Sequence, residues 1–211
     1  MKFKNVYFIN GTAYAGKSTM IKLLAKKYNG IACEENYHDI RVPSLNKNDF
    51  PALTYIRELK DWKQFIRRTP EEYANWINAV NEECAIVELE ILEELSKQNK
   101  KIFVDTNIPV HILKEISDKN HVLIMVTDQD VSVNRFFERP DKEKQFIYKL
   151  LLEEENVELA IENFKNCLRK IHSKESYDEL LNSGFNIIER DDNRTIEETF
   201  SLVEKVFNLN K

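Results

Sequence analysis

The chain has 211 residues, 42% of them hydrophobic and 32% charged, which supplies a core but is short for two full domains at roughly 150 residues each. Its 31 Lys and Arg against 36 Asp and Glu leave a formal charge of -5, which argues against a broad footprint on nucleic acid or anionic lipid. The longest aliphatic run, Val122 to Val126, falls far below the about 20 apolar residues of a membrane span.

In chain order, Val6 to Ile9 is a continuous apolar run closed by Asn10 and Gly11, the pattern of a strand buried on both faces. It is also too short for a signal-peptide core, so a cytoplasmic location is expected. Ser18 to Tyr28 carries Met20, Ile21, Leu23, Leu24 and Tyr28 at helical spacing and stops at Asn29 and Gly30. Ile31 to Cys33 predicts a short second strand, followed by the acidic stretch Glu34 to Asp39. Residues 43 to 69, with two prolines and a mixed aromatic and basic composition, read as an insertion. Thr69-Pro70-Glu71-Glu72 spells a capping box with proline at the first helical position, and predicts a long helix to about Lys97. Ile102 to Val104 and Val122 to Val126 are further buried-strand runs, separated by a helical segment from Val110 to Ser117. From Asp128 to Ser183 the chain reads as helical, with breaks near Pro140, Asn156 and Ser173. Phe185 to Ile188 predicts a fifth strand, and Thr195 caps a last helix. Strands alternating with helices predict an α/β fold, a parallel sheet covered on both sides. The three cysteines, Cys33, Cys84 and Cys167, lack disulfide or zinc spacing and read as buried thiols.

The strongest signal is Gly11-Thr12-Ala13-Tyr14-Ala15-Gly16-Lys17-Ser18, which fits G-x-x-x-x-G-K-[ST], the Walker A pattern, at every fixed position. Two of only four glycines fall in it. Glycines let the backbone bend around an anion while successive N–H groups and a helix N-terminus point at phosphates. Lys17 adds a mobile charge for the outer phosphates, Ser18 a hydroxyl for magnesium, and Thr19 packs or bonds nearby. The competing explanation is a tight strand-to-helix turn with an incidental lysine.

With this motif between strand and helix, the chain resembles the P-loop kinase superfamily, which contains nucleoside, nucleoside monophosphate and shikimate kinases. The resemblance is one of motif order over most of the chain. It implies a three-layer α/β/α P-loop NTPase fold with a five-stranded parallel sheet in order 2-3-1-4-5 and a helical lid and acceptor insertion. It also implies a single domain over residues 1–211, with an acceptor-binding region at 34–100 and a lid at 128–155. Mg-ATP is the expected ligand and a small molecule the expected phosphoryl acceptor, without nucleic acid or membrane; nothing in the sequence defines the oligomeric state.

Asp105, closing the run Ile102 to Val104, resembles a Walker B carboxylate that holds magnesium directly or through water. The family's nucleoside kinases can end this strand in an acidic-arginine pair, and Asp105-Thr106-Asn107 lacks that arginine. Arg135 and Arg139, four apart in a helix expected from about Asp128, resemble lid arginines that stabilise charge on the transferred group, with Pro140 as a hinge. Glu35 or Asp39, after the second strand, is the candidate general base, with His38 orienting or merely exposed. A solvated acidic loop explains the same residues. Arg41, Arg57, Arg67 and Arg68 offer charge to an anionic acceptor, and Tyr37, Tyr55, Trp62 and Phe65 offer stacking surfaces. The loop from Arg190 to Thr195 corresponds in position to one that touches the base of ATP. Asn46-Lys47-Asn48-Asp49 matches the guanine-reading N-K-x-D of some GTPases, but it precedes the Asp105 strand and is a coincidence of composition. A P-loop ATPase or a nucleotide-binding regulator is the alternative function.

Overall fold

A continuous apolar strand is stable only where both of its faces are covered, and the first strand meets that demand. The computed structural model describes residues 2–138 and 142–209. In it β1 (Val6–Gly11) is the middle strand of five, with Val6, Phe8 and Ile9 fully buried. β3 (Ile102–Asp105) pairs with it on one side, Ile9 opposite Asp105, and β4 (Val122–Val126) on the other, Gly11 opposite Met125. β2 (Ile31–Cys33) joins β3 and β5 (Asn186–Glu189) joins β4, so the order is β2-β3-β1-β4-β5 and every pairing is parallel. This is the expected order. The fifth strand lies one residue later than Phe185 to Ile188, because its pairing with β4, from Leu123 to Val126, sets its limits.

Period-two alternation sends neighbouring β1 side chains into different cores. On one face Phe8 and Val104 pack with Ala85 and Leu92 of α4 (Pro70–Ser96) and with Leu113 of α5 (Val110–Ile116). On the other, Ile9 and Met125 pack with Met20, Ile21 and Leu24 of α1 (Lys17–Lys27) and with Val203 of α10 (Ile196–Val206). Tyr28, capping α1, donates a hydrogen bond to the buried Glu204 of α10, which also pairs with Lys27. The capping box at Thr69 and Glu72 is formed and starts α4 at Pro70.

A third core lies away from the sheet and assembles the insertion with the later helices. Phe65 and Ile66 of α3 (Trp62–Ile66), which follows the short α2 (Tyr55–Glu58), meet Tyr73 of α4 there. Val133 of α6 (Gln129–Asn134), Ile147 and Leu151 of α7 (Lys142–Leu152) and Phe164 of α8 (Val157–Ile171) complete it. The chain then turns through α9 (Lys174–Leu181) to β5. The three cysteines are free and buried, as their spacing suggested. No helix among the described residues is long and apolar enough to cross a membrane.

Asn46-Lys47-Asn48-Asp49 forms a local turn. The Asn46 side chain accepts from the Asn48 amide and the Asn46 carbonyl from the Asp49 and Phe50 amides, so the asparagine acts as a turn residue.

Candidate functional site

The carboxyl ends of parallel strands open onto loops, and here the β1 loop runs directly into α1. Gly11 has φ 133° and packs on the β4 backbone so closely that a Cβ would lie 1.8 Å from the Met125 carbonyl oxygen. Gly16, at φ 95°, takes the left-handed conformation that turns the chain into α1, and an added Cβ would meet only the Met125 Cε, at an ordinary 3.8 Å. The first glycine is required by contact and the second by conformation. Thr12 Oγ1 accepts from the Thr127 amide at 2.8 Å, which fastens the loop to the end of β4. The first amides of α1 are thus presented at a rigid opening.

Lys17 folds back over this loop, donating from Nζ to the Thr12 carbonyl at 3.1 Å and standing 3.8 Å from Asp105 Oδ1. Ser18 Oγ donates to Asp105 Oδ2 at 2.6 Å. Burial raises the Asp105 carboxyl above its ordinary range, opposed by the Lys17 charge and the Ser18 hydroxyl and reinforced by Glu35 and Glu88. A hydroxyl and a carboxylate oxygen side by side form a hard donor set that suits magnesium, with the loop amides as its anionic counterpart. Thr19, expected to pack or bond, is exposed instead and lines the small cleft of about 200 Å³ with Ala13, Tyr14, Gly16, Lys17, Ser18 and Glu35. The buried Ala15 anchors the loop in the α1 core.

Behind Asp105 lies a buried polar chain. Thr106 Oγ1 donates to Glu88 Oε2 at 2.7 Å, and Glu88 Oε1 meets His38 Nδ1 at 2.9 Å. His38 Nε2 lies 3.3 Å from Cys84 Sγ. His38 is therefore an interior residue, only 7% exposed, and its part is to hold Glu88.

Tyr14 gathers two further segments onto the loop. Its φ is 65°, an uncommon conformation for a side-chain-bearing residue. Its hydroxyl donates to the Arg135 carbonyl, and its own carbonyl accepts from Arg190 Nη1 at 2.6 Å. Arg135 does not lie within a helix: α6 ends at Asn134, Arg135 is its cap, and Phe136–Glu138 is a 3-10 turn. Tertiary packing overrides helical propensity there, since Phe136 and Phe137 both turn onto Phe164. Arg139 and Pro140 lie outside the described residues.

Of the two candidate carboxylates after β2, both exposed, Glu35 lines the small cleft and Asp39 does not, its Oδ1 lying 3.6 Å from His38 Nε2. Most of the arginines suggested for an anionic acceptor have other partners. Arg41 pairs with Glu94 at 2.8 Å, Arg67 with Glu154 at 2.8 Å, and Arg57 with Glu58 and the Val42 carbonyl. The Arg68 guanidinium sits 4.2 Å from the Tyr55 ring and 4.9 Å from that of Trp76, a cation–π arrangement inside the third core.

A larger cavity, about 710 Å³, adjoins the loop at Gly11 and Thr12. Asn10, Gly11 and Thr12 form its floor, and its walls come from α4, from residues 107–111 after β3, and from the α8–α9 junction. It therefore draws on chain well beyond residues 34–100. His172, at the end of α8, faces it; burial first and the Lys17 charge second push its pKa down to about 4. Neither the position of His172 nor the tethering of Tyr14 carries a sequence signal, because both depend on contacts between distant segments.

No protein-family model matches the chain, and no curated protein sequence matches it.

Proposed function

We propose that the protein is a Mg-ATP-dependent phosphotransferase of the P-loop kinase type, moving the γ-phosphoryl of ATP to a small-molecule acceptor in the cytoplasm. The observation that carries this reading is the Lys17, Ser18 and Asp105 cluster at the mouth of a glycine loop joining β1 to α1. The β2-β3-β1-β4-β5 order and the resemblance in motif order support it.

In this reading the amides of Gly11 to Ser18 receive the phosphates and Lys17 neutralises the outer two. Ser18 and Asp105 hold magnesium, whose contribution when bound is to draw charge from the phosphate oxygens. Thr19 and the remaining loop residues Thr12, Ala13, Tyr14 and Ala15 shape the phosphate cleft. Arg135, tethered through Tyr14, supplies a guanidinium toward the charge on the moving group, with Arg139 as its expected companion. Glu35, already in the cleft, is a better placed proton acceptor than Asp39. Residues 34–100 contribute acceptor walls through α4, and residues 128–155 form the lid.

The test is ADP release from Mg-ATP by wild type and Lys17→Ala, with and without a panel of hydroxyl and phosphate acceptors. Acceptor-dependent turnover that disappears in Lys17→Ala is expected. Mg-ATP binding with no acceptor-dependent turnover across the panel would instead favour an ATPase or a nucleotide-binding regulator.

A further inference from the structure

The cavity of about 710 Å³ beside the loop has walls whose chemistry the phosphate cleft does not use. Its size is that of a small-ligand site, and Gly11 and Thr12 belong to its floor, so an occupant lies against the loop that would hold the phosphates. Asn75, Asn78 and Asn81 project from one face of α4, and Asn107 follows Asp105 by two residues. Asn81 is half-buried and the other three are exposed, and among the described residues none of these four amides makes a side-chain hydrogen bond, so each offers both a donor and an acceptor to an occupant.

The charged groups of the same walls select against an anion. Glu82, Glu175 and Glu179 stand at the exposed rim of the cavity, Glu82 with His111 Nε2 3.7 Å from its Oε1, and Glu175 is held below its ordinary pKa by its own helix-end amide and by Ser173. Lys170, also in the lining, is engaged with Glu71 at 3.3 Å. His172 is uncharged at neutral pH, and a neutral imidazole can accept a hydrogen bond from a hydroxyl.

We infer that this cavity takes the phosphoryl acceptor and that the acceptor is an uncharged polyhydroxylated molecule, such as a polyol, sugar or nucleoside. Its hydroxyls pair with the amides of Asn75, Asn78, Asn81 and Asn107. The inference rests on the phosphotransferase reading and narrows it. Amides meet vicinal hydroxyls in both roles without placing a charge in the site, whereas a phosphorylated acceptor would meet three carboxylates at the rim and one lysine, Lys170, already engaged with Glu71.

The experiment is Lys17-dependent ADP release measured with uncharged sugars, polyols and nucleosides and with the monophosphate of each, in wild type, Asn78→Leu and Asn81→Leu. The expected result is turnover with an uncharged acceptor. Each variant should raise the acceptor KM by about tenfold, the scale of one lost hydrogen bond, while the KM for ATP stays unchanged and shows that the fold and the loop survive. Turnover with a monophosphate in preference to its parent, or acceptor KM values unmoved in both variants, overturns this inference and leaves the kinase reading standing. Lys17-dependent ATP binding without turnover on any acceptor overturns both.

Discussion

Thr106 donates a 2.7 Å hydrogen bond to Glu88, joining the residue after Asp105 to the middle of α4. Glu88 is 3% exposed and is satisfied by Thr106 and His38, while the Thr106 hydroxyl, 2% exposed as a residue, donates to Glu88 and accepts from the Ile108 amide. Glu88→Ala leaves a buried hydroxyl and a buried imidazole without their partner, at a cost of about 2–3 kcal/mol. Urea unfolding measures it, and Glu88→Gln, which keeps an acceptor for Thr106, should lose less. Equal losses would remove the network from the account of how Asp105 is held.

Arg135 offers a kinetic prediction. In the phosphotransferase reading Arg135→Ala lowers kcat on the order of 1000-fold with little change in ATP affinity, since its guanidinium is needed chiefly in the transition state. Tyr14→Phe, which releases the Arg135 carbonyl, should move kcat in the same direction by less. Weaker ATP binding at constant kcat would place Arg135 in ground-state recognition.

His172 makes stability depend on pH. Its folded pKa of about 4 lies below the ordinary 6.5, so between those values the unfolded chain binds the proton and the folded chain does not. Stability therefore falls as pH drops through that window, by about 1.4 kcal/mol per unit at most from this group, and is unaffected by it above. Taken from about pH 7 down to about pH 4.5, the urea midpoint of wild type should fall more steeply than that of His172→Gln. Parallel curves would show that the imidazole is not held neutral by the fold. In Lys17→Ala the imidazole pKa, followed by NMR, should rise only in part, because burial is the larger cause.

Two glycines with positive φ separate contact from conformation. Gly11→Ala forces a Cβ against the Met125 carbonyl and should cost at least ~3 kcal/mol or prevent folding. Gly184, at φ 81° with nothing within 4 Å of an added Cβ, should lose only about 1 kcal/mol on conversion to alanine. Thermal unfolding of the pair checks the ordering, and similar losses would contradict the close approach of β1 to β4.

Local chemistry made much of the architecture readable. The β1 run, the glycine loop and the Thr69 capping box each act within a few residues, so their sequence patterns survive folding unchanged. The elements that shifted are those governed by distant partners. Pairing with β4 moves β5 by a residue, and Phe164 draws Phe136 and Phe137 out of α6. Site residues divide the same way. Lys17, Ser18 and Asp105 meet as motif order implies, because parallel neighbours align the ends of β1 and β3. His172 and the α4 amides reach the loop only through α8 and α4 packing, which hydrophobic periodicity announces but does not orient.

The attachment of α10 to α1 sets an order of events during synthesis. The buried face of α1 is closed by Val203 and Phe207 and latched by Tyr28 and Lys27 onto Glu204. On a ribosome, α1 and its glycine loop emerge long before that cover does. Until residues 196–209 leave the exit tunnel, the helix behind the loop has one side against β1 and β3 and the other in water. The loop gains its rigid backing only once α10 has been made, so a nascent chain stalled ahead of α10 should expose the α1 face to chaperones.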